Sequence, residues 1–167
     1  MPTGVILPKI IVDKLVAETE HLGVPPEELA GEILLKELSG DPEDRVLLYI
    51  NLYRKYIHDA EELIRKKDYV QASEKIWGAA ASIVKAVAVK RLGKRLVSHG
   101  ELWSFVSRIV DETRDQEIGL LWRTAISMHV NFYENWAPPE EVRRSLQQIK
   151  VFAKKLAEYA EIKLDPQ

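Results

Sequence analysis

At 167 residues the chain is long enough for one hydrophobic core with a small appendage. Its 46% hydrophobic and 30% charged residues exclude a disordered chain, and a formal net charge of −2 excludes a global electrostatic pull toward nucleic acid. The absence of cysteine excludes a disulfide framework, a cysteine-ligated zinc and thiol chemistry.

The first forty residues predict a strand-helix-helix unit. Val5, Ile6 and Leu7 are apolar and precede Pro8, which suits a short strand. Ile10, Ile11, Leu15 and Leu22 fall on a helical period, and Gly23 supplies a stop in the left-handed region. Pro25, Pro26, Glu27 and Glu28 open a second helix with proline and acids in its first turn. Its apolar face carries Leu29, Ile33, Leu34 and Leu38. Ser39, Gly40, Asp41 and Pro42 form the clearest break in the chain, so the domain boundary is placed there. Residues 1–40 are one unit and residues 42–162 the other.

The larger unit reads as helices throughout. Val46, Ile50, Tyr53, Ile57, Ala60 and Ile64 form a seam spaced by fours and threes over residues 43–67. Asp68 caps the next helix, over residues 69–91. Its Ala72, Ala79, Ala80, Ala81, Ala86 and Ala88 let neighbours approach closely, which marks it as the centre of a bundle. Gly93 ends it. Ser98 caps a shorter helix carrying Leu102, Trp103, Val106, Ile109 and Val110. A further helix spans residues 116–136. Pro138, Pro139, Glu140 and Glu141 then repeat the start signal before a last helix with Val142, Leu146, Ile149, Phe152, Ala153, Leu156 and Ala160. The expected fold class is therefore all-α: an antiparallel up-and-down bundle of four or five helices after a small N-terminal strand-helix-helix unit. No apolar run reaches the ~18 residues of a membrane span. The N-terminus has neither the charged start nor the long apolar stretch of a signal peptide. A cytoplasmic protein with no membrane partner is expected. Scarce Asn and abundant Glu, Lys, Arg and Ile resemble a thermophile's composition.

Three constellations bear on chemistry. A di-metal bundle site needs paired Glu-x-x-His motifs on facing helices. Glu18 with His21 is the single instance, and it lies in the N-terminal unit. No metal and no cofactor are expected. The densest positive cluster is Lys90, Arg91, Lys94 and Arg95, followed by His99. It reads either as a helix end whose cations offset the dipole or as a phosphate site. The third constellation is Arg123 and His129, with five residues between them. Histidine can move a proton and arginine can steady developing negative charge, so the pair suits RNA cleavage by the substrate's own 2′-hydroxyl. Six residues at about 100° each, however, set the two about 120° apart around a helix. His129 also falls on a stripe with Ile118, Trp122, Ala125, Phe132 and Trp136. A buried, hydrogen-bonded His129 and a surface Arg123 paired with a Glu, on the polar side it shares with Ser127 and Glu134, form the competing reading.

Two segments carry a family resemblance. Residues 69–80 (Tyr-Val-Gln-Ala-Ser-Glu-Lys-Ile-Trp-Gly-Ala-Ala) with Val84, Lys85 and Ala86 resemble the central helix of HEPN-type bundles. Residues 129–134 (His-Val-Asn-Phe-Tyr-Glu) resemble a late-helix pattern of the archaeal PaREP family within that wider group. The resemblance covers residues 42–162. It implies a dimeric bundle whose relatives include RNA-cleaving toxins with an Arg-x4–6-His motif. Other relatives are inactive forms that accompany small nucleotidyltransferases. Carried over, the motif is Arg123 and His129, with Tyr133 as the nearby phenol. Active members often carry tyrosine two residues after the histidine, where this chain has Asn131. The first unit is similar to a ribbon-helix-helix module, which would read DNA through paired strands, although residues 5–7 carry no Lys or Arg. The function expected is thus a dimeric HEPN-like binding module without catalysis, serving nucleotide or nucleic-acid metabolism with RNA or a nucleotidyltransferase-type protein as partner. The alternatives are a metal-independent endoribonuclease of toxin–antitoxin type and a DNA-binding regulator.

Overall fold

The computed structural model describes residues 3–165, and the described chain is all-helical: α1 (Lys9–Leu22), α2 (Pro26–Glu37), α3 (Pro42–Arg65), α4 (Tyr69–Leu92), α5 (His99–Thr113), α6 (Gln116–Glu134) and α7 (Pro139–Ala160). Helix starts follow local side-chain chemistry. Asp41 and Asp44 exchange carboxylate-to-amide hydrogen bonds of 2.9 and 3.0 Å at the start of α3. Ser98 and Glu101 form the same reciprocal cap on α5. There the Ser98 and Val97 amides hold the Glu101 carboxyl down to about 2. Asp68 accepts from the Gln71 amide and so begins α4. Gly23 and Gly93, both left-handed, end α1 and α4.

α4 is the axis of the molecule. It packs on α3, α5, α6 and α7, and residues 79–89 are buried without interruption. Alanines at six positions of this helix keep its cylinder thin enough for neighbours on every side. Gly78 serves the same end. A Cβ there would meet the Tyr56 ring at 3.1 Å, so the α3–α4 approach needs its absence. α7 closes the bundle with Val142, Leu146, Ile149, Phe152, Ala153, Leu156 and Ala160 facing inward. These side chains share one continuous core with α3, α4, α5 and α6.

Two expectations are corrected. The strand at Val5, Ile6 and Leu7 is not formed, and no strand occurs among the described residues. A strand needs a neighbour to take its backbone hydrogen bonds, and a single ribbon within one chain has none. The stripe drawn through His129 is also displaced. The buried positions of α6 are Ile118, Leu121, Trp122, Ala125, Met128 and Asn131. Met128 takes the deep place, His129 stands at the edge, and Trp136 lies beyond the helix end.

Asn131 is the polar member of that buried stripe. Its side-chain carbonyl accepts from the Trp136 and Ala137 amides at 2.8 and 2.7 Å, and its amide donates to Ser73 Oγ at 2.7 Å. One side chain therefore closes the α6–α7 turn and ties it to α4.

The N-terminal helices do not build a core of their own. α2 lies against α3, and α1 lies against α2. Val24 and Leu29 are buried where they meet the bundle, and charge joins the N-terminal helices to it as well: Glu28 and Glu32 are buried, as is Lys85 on α4. No helix among the described residues is long and apolar enough to cross a membrane.

Candidate functional site

A cavity of about 480 Å³ lies between the α1–α2 turn and the face made by α3, α4, α6 and the start of α5. α4 supplies Glu74, Trp77, Gly78, Ala81 and Lys85, spaced by threes and fours along one face. α6 supplies His129 and Tyr133, one turn apart. His99 enters from the first turn of α5, and Tyr56 from α3. Val24, Pro25 and Glu28 form the opposite wall.

Aromatic rings organise the inner wall. Trp77 lies 4.8 Å from His129 and 5.3 Å from His99 between ring centroids. The two imidazoles are 5.1 Å apart. His129 Nδ1 sits 3.2 Å from Glu74 Oε2. A carboxylate only accepts, so Nδ1 is the donor in this contact. Burial pushes the His99 imidazole below its ordinary 6.5; His129 and Lys85 push the same way, and Glu74 opposes them. His99 is therefore neutral at pH 7. Tyr133 touches His129 edge-on at 5.4 Å and is largely exposed.

The Tyr56 hydroxyl is unusual. Its residue is only 2% exposed, and the oxygen has no hydrogen-bond partner among the described residues. Burial pushes the phenol well above its usual range, so it remains a donor. A buried donor without an acceptor costs about 1–3 kcal/mol.

The far wall is ionic. Lys85 Nζ donates to both oxygens of Glu28 at 2.8 and 2.7 Å. The Tyr49 hydroxyl donates to Glu32 at 2.6 Å, and burial raises that phenol as well. Arg45 and Arg95 approach Glu32 at 3.0 and 3.5 Å. Burial pushes the Lys85 ammonium down, and Glu28 works against that. Around the whole cavity four carboxylates, Glu20, Glu27, Glu28 and Glu74, face two ammonium groups, Lys75 and Lys85. Carboxylates thus outnumber ammonium groups on the lining, which suits a neutral heterocycle better than a bare phosphate.

Of the residues singled out in the sequence, His99, His129 and Tyr133 come together here. Arg123 does not: it is exposed and outside the cavity. The basic cluster is divided among separate partners. Lys90 bonds Glu43 at 2.9 Å, Arg91 lies over the Tyr159 ring at 4.7 Å, Lys94 approaches Glu101 at 3.6 Å, and Arg95 turns inward to Glu32. Glu28, Tyr56, Glu74, Trp77 and Lys85 were not singled out as site residues. One of them did carry a signal: Lys85 interrupts an otherwise small and apolar run, and a lysine buried there has to find a carboxylate.

A family model described as the archaeal PaREP1/PaREP8 family matches residues 48–153. Among solved structures, a crystal structure of a protein from Sulfolobus solfataricus is similar at 26% identity and a TM-score of 0.55, covering 66% of this chain and 93% of that one. No curated protein matches. The matched residues begin inside α3, so α1, α2 and the cavity wall they supply lie outside them.

Proposed function

The chain belongs to the archaeal PaREP1/PaREP8 family, and we propose that it is a dimeric, non-catalytic binding module of HEPN-like type in nucleotide or nucleic-acid metabolism. Its ligand is a nucleoside or nucleotide whose base enters the cavity. The observation that carries this reading is the meeting of Trp77, His99 and His129 around one cavity that Tyr56 also lines. A volume of about 480 Å³ admits one such ligand. The indole and imidazole faces offer a stacking platform, and the imidazole nitrogens and phenol offer hydrogen bonds to a base edge. The acidic lining keeps the phosphates outside, toward solvent.

Calorimetric titration with adenosine, guanosine, cytidine, uridine and their monophosphates tests this. At least one should bind, and Tyr56→Phe and His99→Ala should each weaken it about tenfold, the equivalent of one lost hydrogen bond at ~1.4 kcal/mol. If none of the eight binds, the reading fails.

A metal-independent endoribonuclease is the second reading, favoured by one observation: a histidine held by a carboxylate stands beside a neutral histidine. That arrangement offers an acid and a base without metal. Incubating single-stranded RNA with the protein in EDTA should then give cleavage that His129→Ala abolishes and Arg123→Ala leaves intact. Intact RNA with wild-type protein removes this reading. DNA regulation has little support, because residues 1–40 carry three Lys against seven Asp and Glu.

A further inference from the structure

We propose that the bundle face beneath α2 is a binding site for a small anion of diphosphate type, and that in this structure α2 fills it with its own carboxylates, Glu28 and Glu32. This goes beyond the base-binding reading above and does not rest on it.

The donors of the site come from the bundle and the acceptors from outside it. Lys85 on α4 is 4% exposed, and its Nζ donates to both Glu28 oxygens. Tyr49 on α3 is fully buried, and its hydroxyl lies 2.6 Å from a Glu32 oxygen and 3.3 Å from a Glu28 oxygen. Arg45 on α3 and Arg95 in the α4–α5 connection stand 3.0 and 3.5 Å from Glu32. Among the described residues every ion pair of Lys85, Arg45 and Arg95 runs to α2, and none to a carboxylate of the bundle. Three cations thus surround two carboxylates, which leaves positive charge in excess.

α2 is an addition to this face and not part of the core behind it. The continuous core holds no residue of α1 or α2, and the buried Val24 and Leu29 lie outside it. α3 starts on its own reciprocal cap between Asp41 and Asp44, so its first turn does not depend on α2. Tyr49, Lys85 and Arg95 lie within the residues matched to the family, and Glu28 and Glu32 lie outside them. The bundle therefore gathers a buried lysine, two guanidinium groups and a phenol around a place that it does not fill itself. A lysine buried on a helix of small apolar residues is costly without an anion.

The ligand class follows from the donors. Glu28 and Glu32 are one turn apart on one face of α2 and meet at the Tyr49 hydroxyl, so the pocket already holds two adjacent anionic groups. A diphosphate presents two such groups, with oxygens enough for the ammonium, the phenol and both guanidinium forks. Its entry returns the α2 carboxylates to water. Glu20 and Glu27 leave the cavity with Glu28, so of the four cavity carboxylates Glu74 alone stays on the bundle, against Lys75 and Lys85. The face turns from acidic to basic as α2 moves off.

Calorimetric titration of the full chain with pyrophosphate at constant ionic strength tests this, with circular dichroism confirming that each variant stays helical. Glu28→Gln combined with Glu32→Gln should bind pyrophosphate about tenfold more tightly than wild type. Glu32→Gln alone, which keeps the Lys85–Glu28 pair, should give part of that gain. Adding Lys85→Met to the glutamine pair should remove the gain, and adding Tyr49→Phe, which changes no charge, should reduce it about fivefold. If neither glutamine variant binds more tightly than wild type, the inference is overturned. A gain that Lys85→Met and Tyr49→Phe leave unchanged overturns it too, because the anion then binds elsewhere. Pyrophosphate carries no base, so this result and that of the nucleoside titration stand or fall separately.

Discussion

α4 and α1 are both rich in small and β-branched apolar residues, yet one is the most enclosed helix of the molecule and the other nearly the least. Between residues 79 and 89 α4 has no exposed position, whereas α1 buries a single threonine. Composition therefore does not decide enclosure; the number of neighbours does. α4 has four helices around it, and α1 lies against one. α4 is tied to α2, against which α1 lies, by the ionic cluster that runs from Lys85 to Glu28. The cavity lies beside that cluster.

The largest test of the comparison is to break the tie. Lys85→Ala leaves the Glu28 carboxylate buried without its partner and should cost about 3–5 kcal/mol in urea unfolding. Replacing Lys85 and Glu28 together by methionine should recover most of that loss, because the penalty comes from the orphaned charge. If the single change costs under ~1 kcal/mol, the cluster does not hold the N-terminal helices in place.

Next comes the thinness of α4. Ala80→Leu adds three carbons at a fully buried position and should cost about 1–3 kcal/mol through overpacking. A neutral result would mean that the α4 neighbours can retreat, and that small residues are not what makes its enclosure.

The His99 effect is smaller and is read as a slope. Its folded-state pKa lies below the 6.5 of an unfolded histidine. The unfolded chain therefore takes up this proton first as pH falls. The stabilisation from a neutral His99 is complete above 6.5, is lost as pH drops through that value, and levels off below the folded pKa. Unfolding curves taken in pH steps should show this slope in wild type and not in His99→Gln. A slope that the substitution leaves unchanged would assign it to other groups.

The smallest effect belongs to α1. Ile10→Ser, measured below the concentration at which copies associate, should change stability by no more than about 0.5 kcal/mol. A larger loss would show that Ile10 is enclosed within its own chain after all, and the contrast with α4 would narrow.

What the sequence made legible was mostly local. Asp41, Asp68 and Ser98 announce helix starts through side chains that bond their own backbone, and Gly23 and Gly93 announce ends through conformation. The ends of α5, α6 and α7 were less readable because non-glycine residues take the left-handed position there: Arg114, Asn135 and Glu161. Trp136 was accordingly read as helical although α6 stops at Glu134. The site was half legible. His99 and His129 could be named, but nothing local brings them to within about 5 Å, because residues thirty apart meet only through the packing of α5 and α6 around Trp77. Arg123 fitted a linear motif and stands elsewhere, since spacing along a helix says nothing about which side faces a neighbour. Glu74 and Tyr56 carried no local signal at all.

Asn131 makes the position two residues after His129 a structural joint. A tyrosine there would forfeit three hydrogen bonds that fix a turn and join two helices. A chain with tyrosine at this position would have to secure that turn by other means. Asn131 and Ser73 are thus coupled across α6 and α4, so a change at Ser73 strips the asparagine amide of the acceptor it has there.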